Sequence, residues 1–418
     1  MQAVKYPWLS PALALGVLAL LLCLPLFKPS GYVVTLLSQM GIAILFALAY
    51  NVLFGQTGLL SFGHAVYYGV AGFLAMHALN AIGSGAFRLP LELLPLVGGV
   101  AAMGVALVLG YAATRRGGLP FAMITMGMAE MVATLALKMR HTFGGEAGIS
   151  GERMVSNTLT GFSFGPAIQV YYLIVVWVFI CALLMYLQTQ TALGRAANAV
   201  RDNPERAQFI GYDPSVVRYR QFLVSAFFSG VAGGLFAINY EIATQEILGE
   251  RVSSNVLFAA YIGGIGYFYG PILGAALVTL MQQVLSRMTE AWLLYFGVFF
   301  MLVVLYAPKG LAGLIDMHRP IWRAGRLGRL LPCYARASIP LAAVVAALVL
   351  CVELIYHKSN TMTASKPIFG SFSPDSAVLW LSIVMVAVVG AFGCRRTFRS
   401  TKDRWETVMH EISSERQQ

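Results

Sequence analysis

Few residue patterns in this sequence could carry out a chemical reaction. The chain has no GxxxxGKS or GxxxxGKT loop, so it cannot hold ATP phosphates in the way that such loops do. It has no HExxH motif, and its cysteines and histidines are not spaced as metal ligands. His64 and His77 are too far apart to share a ligand, and we expect each to be a hydrogen-bonding interior residue. The sequence therefore predicts neither an enzyme nor a bound cofactor.

One polar segment, residues 189–220, combines dense charge with spaced apolar residues. The apolar positions are Leu193, Ala196, Ala197, Val200, Ala207 and Phe209. They favour a short amphipathic helix over 192–209, which Pro204 interrupts or restarts and Gly211 ends. The plainer interpretation, favoured by composition alone, is a solvated connecting loop.

Glu130 stands in an apolar stretch, with methionine and alanine around it. A carboxylate inside a bilayer is costly unless it is paired or neutral, so we expect Glu130 to face the interior of a helix bundle. Two interpretations stay open at this stage. The side chain hydrogen-bonds a neighbouring helix, or it lines a path for a solute.

Glycines form two clusters, at 41–72 and at 263–274. Glycine lets helix backbones approach closely in membranes, which is one explanation of both clusters. Broken glycine-rich segments also let backbone groups line a cavity, as transporters use at binding sites. Because one cluster lies in each half of the chain, a translocation path is the second explanation.

The composition places all these features in a membrane protein. Of the 418 residues, 58% are hydrophobic and 11% are charged, whereas an ordinary soluble domain is about 25% charged. A membrane-spanning helix needs about 20 mostly apolar residues. Such stretches are predicted at 9–27, 32–54, 58–80, 91–113, 119–140, 167–188 and 219–240, in 252–287 as two short or re-entrant segments, and at 291–307, 338–357 and 376–394. The sequence predicts an all-α polytopic membrane protein with about ten transmembrane or re-entrant segments and a C-terminal two-helix addition.

Arginines in the connections predict the orientation of these spans. They concentrate at 113–118, 189–220, 318–336 and 395–404, and alternating the spans places all four groups on one side together with Lys5. Because basic residues favour cytoplasmic loops, both termini are expected in the cytoplasm. The net charge of +11 then reflects topology and contact with lipid headgroups, and nucleic acid is not expected as a partner.

Five blocks of sequence resemble a known family. They are NVLFGQTGLLSFGHAVYYGVAGFLA (51–75), FAMITMGMAEMV with TFGGEAGISG (121–132 and 142–151), LGRAANAVRDNPERAQFIGYD (193–213), YIGGIGYFYGPILGAALV (261–278) and YAPKGLAGL (306–314). In this order they resemble the branched-chain amino-acid ABC transporter permeases, specifically the LivM-type subunit. The resemblance implies an ABC importer permease that moves branched-chain amino acids or related solutes inward, driven by ATP hydrolysis on separate subunits.

The resemblance also implies particular residues. Permeases of this kind dock a cytoplasmic loop with an EAA-x3-G pattern on the ATPase, and Glu205, Ala207 and Gly211 match it with arginine in the second place. The expected coupling loop consists of Arg201, Asp202, Asn203, Glu205, Ala207 and Gly211. The expected translocation path consists of Gln56, Ser61, His64, Glu130, Gly263 and Gly264.

The implied partners are a second related permease, two ATP-binding cassette subunits, a periplasmic amino-acid-binding protein and membrane lipid. The expected location is the bacterial inner membrane. The permease domain is expected at 1–316, followed at 317–418 by a basic linker, the extra hairpin and a charged tail that is frayed or weakly helical. The alternative function is a secondary transporter or channel that needs no ATPase.

Overall fold

The computed structural model describes residues 16–359, except 17, 20, 28, 29 and 156, and residues 377–415. The longer helices are α1 (Gly31–Thr57), α2 (Ala65–Gly83), α3 (Leu94–Ala113), α4 (Leu119–Lys138), α5 (Ala167–Gln190), α6 (Ala192–Asp202), α7 (Pro204–Phe209), α8 (Pro214–Tyr240), α9 (Glu250–Gly263), α10 (Gly270–Leu280), α11 (Trp292–Tyr306), α12 (Gly310–Arg323), α13 (Leu327–Ser359) and α14 (Ala377–Glu415). Shorter elements are 3-10 turns at Leu24–Phe27, Leu91–Leu93 and Gln245–Leu248, single α-turns at Arg140–Phe143 and Ser286–Met288, a π-helical turn at Met281–Leu285, and strands β1 (Ile149–Ser150) and β2 (Ile242–Ala243).

Within the described residues, eight helices are long and apolar enough to cross a membrane. A ninth span is obtained if the bent pair α11 and α12 counts as one. The all-α polytopic prediction is confirmed. About half of the predicted span 9–27, including its first seven residues, lies outside the described residues.

Glycines with positive φ interrupt two of the predicted stretches, and one of these starts its helix later than expected. The stretch predicted as 58–80 begins its helix only at Ala65, because Gly58 ends α1 in a left-handed conformation (φ 71°). The stretch 252–287 contains two short helices, α9 and α10, as predicted, and a turn around Gly264 (φ 110°) joins them. Conformations with positive φ interrupt a helix and suit glycine, which has no Cβ to clash.

The described residues of 1–280 and 308–312 form one compact unit, and those of 281–307 and 313–418 form a second. In the first unit α8 is the most deeply buried candidate span, and it packs against α1, α2 and α3. Small residues permit this close approach: a Cβ at Gly234 would lie 2.8 Å from the Cα of Pro95 on α3. The buried helix α8 is therefore the element around which the first unit is assembled.

The segment between α4 and α5 is fixed to the C-terminal end of α8. Strands β1 and β2 pair antiparallel, with Ile149 opposite Ala243. The Arg153 guanidinium donates to the carbonyl oxygens of Phe164 (2.8 Å) and Asn239 (3.2 Å). The backbone N–H of Arg153 donates to the Glu241 carboxylate at 2.9 Å. Since Asn239 is in the last turn of α8, Arg153 satisfies a helix-terminal carbonyl that no intrahelical donor reaches.

Glu92 holds the same segment at a second point. Its carboxylate accepts hydrogen bonds from the backbone N–H of Leu159 (2.9 Å) and from the backbone and hydroxyl of Thr160 (3.0 and 2.8 Å). The Trp177 indole on α5 donates to the Glu92 carbonyl at 2.9 Å. A predicted outer loop is thus an ordered structure bonded to the C-terminal end of α8 and to Glu92, just before α3.

The second unit has its own polar and apolar contacts. On α13, the Glu353 carboxylate accepts from the Thr289 hydroxyl at 2.6 Å and from the Tyr295 hydroxyl of α11 at 3.0 Å. The charged tail is a continuous part of α14, and Glu411 pairs with Arg326 (2.7 Å) and Arg329 (3.0 Å). For the described part of the tail, which ends at Glu415, the expectation of a frayed or weakly helical segment is wrong. Tail residues are buried against residues of α12 and α13, and this packing stabilises the helix.

Candidate functional site

A buried polar stripe on α8 is the centre of the candidate site. Gln221, Ser225 and Ser229 are spaced by four residues, so they lie on one face of the helix. All three are fully buried. Polar side chains buried between membrane helices hydrogen-bond across the helix interfaces and contribute to holding the helices together. The spacing of four is a signal of this stripe in the sequence, but none of the three residues was predicted as part of the site.

His64, at the start of α2, bonds to the two serines of the stripe. Its Nε2 lies 3.0 Å from the Ser225 hydroxyl oxygen and 2.8 Å from that of Ser229. The Ser225 hydroxyl donates to the Ala49 carbonyl at 2.6 Å, so this oxygen is left to accept from the imidazole. The geometry fits the Nε2–H tautomer. His64 therefore joins α8 and α2 to the middle of α1.

Glutamine side chains continue the network by one turn. The Gln221 amide donates to the Gln56 side-chain oxygen at 2.8 Å and to the Val52 carbonyl at 3.1 Å. Gln188, on α5, donates to the Gln221 side-chain oxygen at 2.8 Å. One glutamine thus connects α8 with both α1 and α5. Gln188 and Gln221 were not among the residues predicted from the sequence.

Ser61 lies in the irregular segment between α1 and α2. Its carbonyl accepts from the Tyr50 hydroxyl at 3.0 Å. The Ser61 hydroxyl, the Asn51 Oδ1 and the His64 Nδ1 are buried and have no hydrogen-bond partner among the described residues. Ser61 and His64 lie at the α1–α2 break and Asn51 lies within the last two turns of α1, and each unpaired group is costly in the position observed. A rearrangement or an incoming polar group that pairs them would be favoured there.

Gly263 and Gly264 lie at the turn between α9 and α10, and this turn meets α1. A Cβ at Gly55 would lie 2.8 Å from the carbonyl oxygen of Ile265. The two glycine clusters of the sequence therefore contact each other, next to Gln56. The structure brings Gln56, Ser61 and His64 into one buried region, with the Gly263–Gly264 turn against its edge.

Glu130 lies apart from this region. It is on the exposed face of α4 in the single chain, and Met123 and Met126 are exposed on the same face. No described residue forms an ion pair with it. The interior position that we expected within this chain is not what the structure has.

The loop between α5 and α8 forms two short helices, α6 and α7. Asn203 starts α7 by accepting a hydrogen bond from the Arg206 backbone at 2.9 Å. Pro204 follows at the first helical position, where a missing N–H costs nothing. Ala207 is buried against residues of α6 and the start of α8, so the predicted amphipathic character is present.

The end of α7 is a Schellman turn. The Tyr212 N–H donates to the Ala207 carbonyl and the Gly211 N–H to the Gln208 carbonyl, both at 3.0 Å, and Gly211 has φ 92°. Phe209 does not belong to the packed side, as we had expected. It is 89% exposed, and Ile210 beside it is 69% exposed. The tip of the loop is therefore apolar, and the sequence pattern alone did not predict this.

The remaining loop residues are on the solvent-facing side or bridge to α1. Asp202 and Glu205 are exposed. Asp202 forms an ion pair with Arg201 at 3.1 Å. The Arg201 guanidinium also donates to the Gly55 carbonyl near the end of α1. Arg201 thus connects the loop to the residue that precedes Gln56 in the buried network.

Two further features of the described residues bear on chemistry. The described part of the chain contains no group of three or more potential metal ligands. A GxSxG pattern occurs at 161–165, but it lies in an irregular segment before α5. In hydrolases this motif requires a sharp turn from a strand into a helix, so the pattern carries no nucleophile here.

The family that this chain matches, and the LivM and BraD proteins that it resembles, are described as permeases of branched-chain amino acid transport systems. Residues 32–308 match the family described as branched-chain amino acid transport system / permease component. The permease protein LivM of Salmonella typhimurium is 28% identical over 302 residues, covering 67% of this chain and 69% of the relative. LivM of Escherichia coli is 27% identical over 300 residues, with the same coverage of 67% and 69%. The permease protein BraD of Pseudomonas aeruginosa is 23% identical over 299 residues, covering 66% of this chain and 92% of the relative.

No solved structure matches the chain. The family match ends at residue 308, before α12 to α14. The chain is a multi-pass membrane protein with a transport role, consistent with the buried polar network between its spans. Because the match covers more than half of the 418 residues, the chain belongs to the family of permease components of branched-chain amino acid transport systems.

Proposed function

We propose that this chain is the permease of an ATP-driven importer that carries branched-chain amino acids, or related small polar or amphipathic solutes, inward. Its partners in this proposal are a second related permease, two ATP-binding cassette subunits and a periplasmic amino-acid-binding protein. The names of LivM and BraD support the solute class. The chain has no phosphate-binding loop of its own, which fits ATP hydrolysis on separate subunits.

The observation that carries the proposal is the exposed apolar tip of the loop between α5 and α8. Phe209 and Ile210 are exposed between charged residues, and the buried side of α6 and α7 fixes the tip on the start of α8. An apolar tip with a charged rim suits docking on a protein, because apolar anchors contribute most of the binding energy and charges set the register. We assign Arg201, Asp202 and Glu205 to that rim.

Asn203, Ala207 and Gly211 have a structural part in this coupling loop. Asn203 caps α7, Ala207 fixes it to the bundle, and Gly211 ends it. If the ATPases close on nucleotide binding, the tip moves and α6 moves with it. The motion then reaches α1 and α8, which carry the buried polar network.

The translocation path is proposed at two places. The first is the buried region of Gln56, Ser61 and His64 with the turn at Gly263 and Gly264. The second is the exposed face of α4 with Glu130. A carboxylate facing lipid is costly, so this face is best covered by the second permease, with Glu130 towards the solute path.

The coupling loop is tested with Glu205→Lys and Gly211→Asp. Reversing a charge at a desolvated docking contact typically costs about 2–5 kcal/mol. At Gly211 any side chain strains the backbone by about 1–3 kcal/mol, although there is space for it. We expect both variants to insert normally and to lose uptake that depends on ATP. The measurement is uptake and ATP hydrolysis in vesicles that contain all the partner subunits.

The control is Gly83→Asp, since Gly83 has an ordinary φ and open space around it at the end of α2. It should retain coupled transport. If Glu205→Lys and Gly211→Asp both transport like the unmodified protein, the loop is an ordinary connection. The secondary-carrier alternative, which needs no ATPase, would then be favoured.

The solute itself is tested on the soluble partner. In importers of this kind the binding protein usually sets selectivity, so the permease sequence does not choose between leucine, isoleucine and valine. Calorimetry of the purified binding protein should give heat of binding with these amino acids. Binding of only urea or short amides would contradict the proposed solute class.

A further inference from the structure

Helix α14 carries an exposed apolar stripe in the part of the chain beyond the family match. Leu381, Met385, Val388 and Phe392 are separated by four, three and four residues, so they lie on one face of the helix. Each is between 62% and 73% exposed. In a membrane-spanning helix such a face contacts acyl chains.

The stripe continues directly into basic residues. Arg395 and Arg399 extend the same spacing from Phe392 by three and then four residues, and Arg396 lies next to them. All three arginines are exposed. None of them forms an ion pair with another described residue, whereas Arg326 and Arg329 pair with Glu411.

Helix α13 brings another arginine to the same height. The two helices pack closely at small residues, where a Cβ at Gly393 would lie 2.9 Å from the Cβ of Pro340. Gly390 packs near Val344, so the helices are antiparallel. Arg336, one turn before Pro340, is therefore level with Arg396, and it too is exposed.

We propose that this surface, the α14 stripe with Arg336, Arg395, Arg396 and Arg399, is a binding site for one anionic phospholipid. The acyl chains lie along the apolar stripe, and the headgroup phosphate is held between the guanidinium groups. Arginine suits this ligand because its planar fork donates two parallel hydrogen bonds to phosphate oxygens. Basic residues that only orient a span must lie on its cytoplasmic side, but they need not share one face of the helix with an exposed apolar stripe.

The test is native mass spectrometry of the purified full chain in detergent, with graded phosphatidylglycerol or phosphatidylcholine. The unmodified chain should retain phosphatidylglycerol at least about tenfold more strongly, because each exposed arginine near an anionic headgroup contributes a several-fold factor. The double variant Arg395→Gln/Arg399→Gln should lose about tenfold or more in phosphatidylglycerol binding. The control with equal charge is Arg323→Gln/Arg404→Gln, in which Arg404 lies opposite Arg395 on α14, and it should bind within about twofold of the unmodified chain.

The proposal is overturned by equal binding of the two lipids, or by equal loss in the double variant and its control. It is also overturned if inorganic phosphate displaces phosphatidylglycerol, since the site would then recognise a phosphate ion. If the glutamine variant does not insert, Arg395→Lys/Arg399→Lys retains the charges that orient the hairpin. That variant should bind at least about threefold more weakly because lysine lacks the fork, and unmodified affinity would contradict the proposal.

Discussion

Replacing Arg201 by glutamine tests whether the coupling loop moves α1 directly. In the structure the Arg201 guanidinium donates to the Gly55 carbonyl and pairs with Asp202 at 3.1 Å. Gly55 precedes Gln56, whose side chain accepts from Gln221 on α8 at 2.8 Å. The side chains of Arg201, Gln56 and Gln221 therefore connect α6 to α8, the most buried span, by way of the Gly55 carbonyl. Glutamine is too short to retain the contact from the same backbone position.

The magnitude follows from the kind of hydrogen bond and its exposure. A hydrogen bond from a charged donor contributes about 1.5–3 kcal/mol, and the 37% exposure of the Arg201 side chain favours the lower end. A transporter alternates between two conformations, and this contact affects coupling only if its free energy differs between them. If the contact exists in one state alone, about 1.4 kcal/mol changes their ratio about tenfold. We expect solute moved per ATP to fall about five- to tenfold.

The assay measures uptake and ATP hydrolysis together, in vesicles with all partner subunits. The control is Arg195→Gln, which removes an exposed arginine from the same helix and should keep coupled transport. Asp202→Asn removes the ion pair with Arg201 and leaves the contact between Arg201 and the Gly55 carbonyl. It should therefore reduce coupling less than Arg201→Gln does. If Glu205→Lys uncouples the transporter and Arg201→Gln does not, the loop docks as proposed but the Gly55 contact carries no coupling.

Three further predictions concern other parts of the chain. Glu130→Gln should insert normally and lower uptake, and unmodified uptake by Glu130→Leu would show that this carboxylate has no part in the path. Gly110→Ala should destabilise the protein by about 1–3 kcal/mol, because the new Cβ would lie 2.6 Å from the phenyl ring of Phe222 on α8. The control Gly104→Ala has open space around the new Cβ and should be neutral or stabilising. Thermal unfolding in detergent measures the stability of both variants. Cysteine labels near residue 202 should react from the cytoplasm and labels near residue 148 from outside, and labelling of both from one side would refute the topology.

The spans were predictable because hydropathy depends only on neighbouring residues. A bilayer requires every backbone group to be paired within the segment, so about 20 apolar residues in a row predict a helix. The loop at 189–220 was predictable in part, because Asn203, Pro204 and Gly211 have local effects on helix starts and ends. The ordered tail was missed because its stability comes from packing against residues about 80 positions away.

The path residues show where local patterns stop being informative. The methionine and alanine residues next to Glu130 in the sequence indicated a buried position for it, yet Glu130 is exposed in the single chain. Phe209 was expected on the packed side of one amphipathic helix. The break at Asn203 turned the last residues of the loop outward, because a second helix start resets the angular order of the side chains.

The sequence by itself determined that this chain spans a membrane many times, that it belongs with transport permeases, and where its loop helices start and end. These follow from composition, motif order and local backbone chemistry. Only the tertiary structure decided that His64 bonds the serines of α8, and that Arg201 reaches Gly55 across 146 positions of sequence. The rotation of each helix about its axis depends on the neighbours it packs against, and an apolar stretch of about 20 residues contains no information about which neighbours those are.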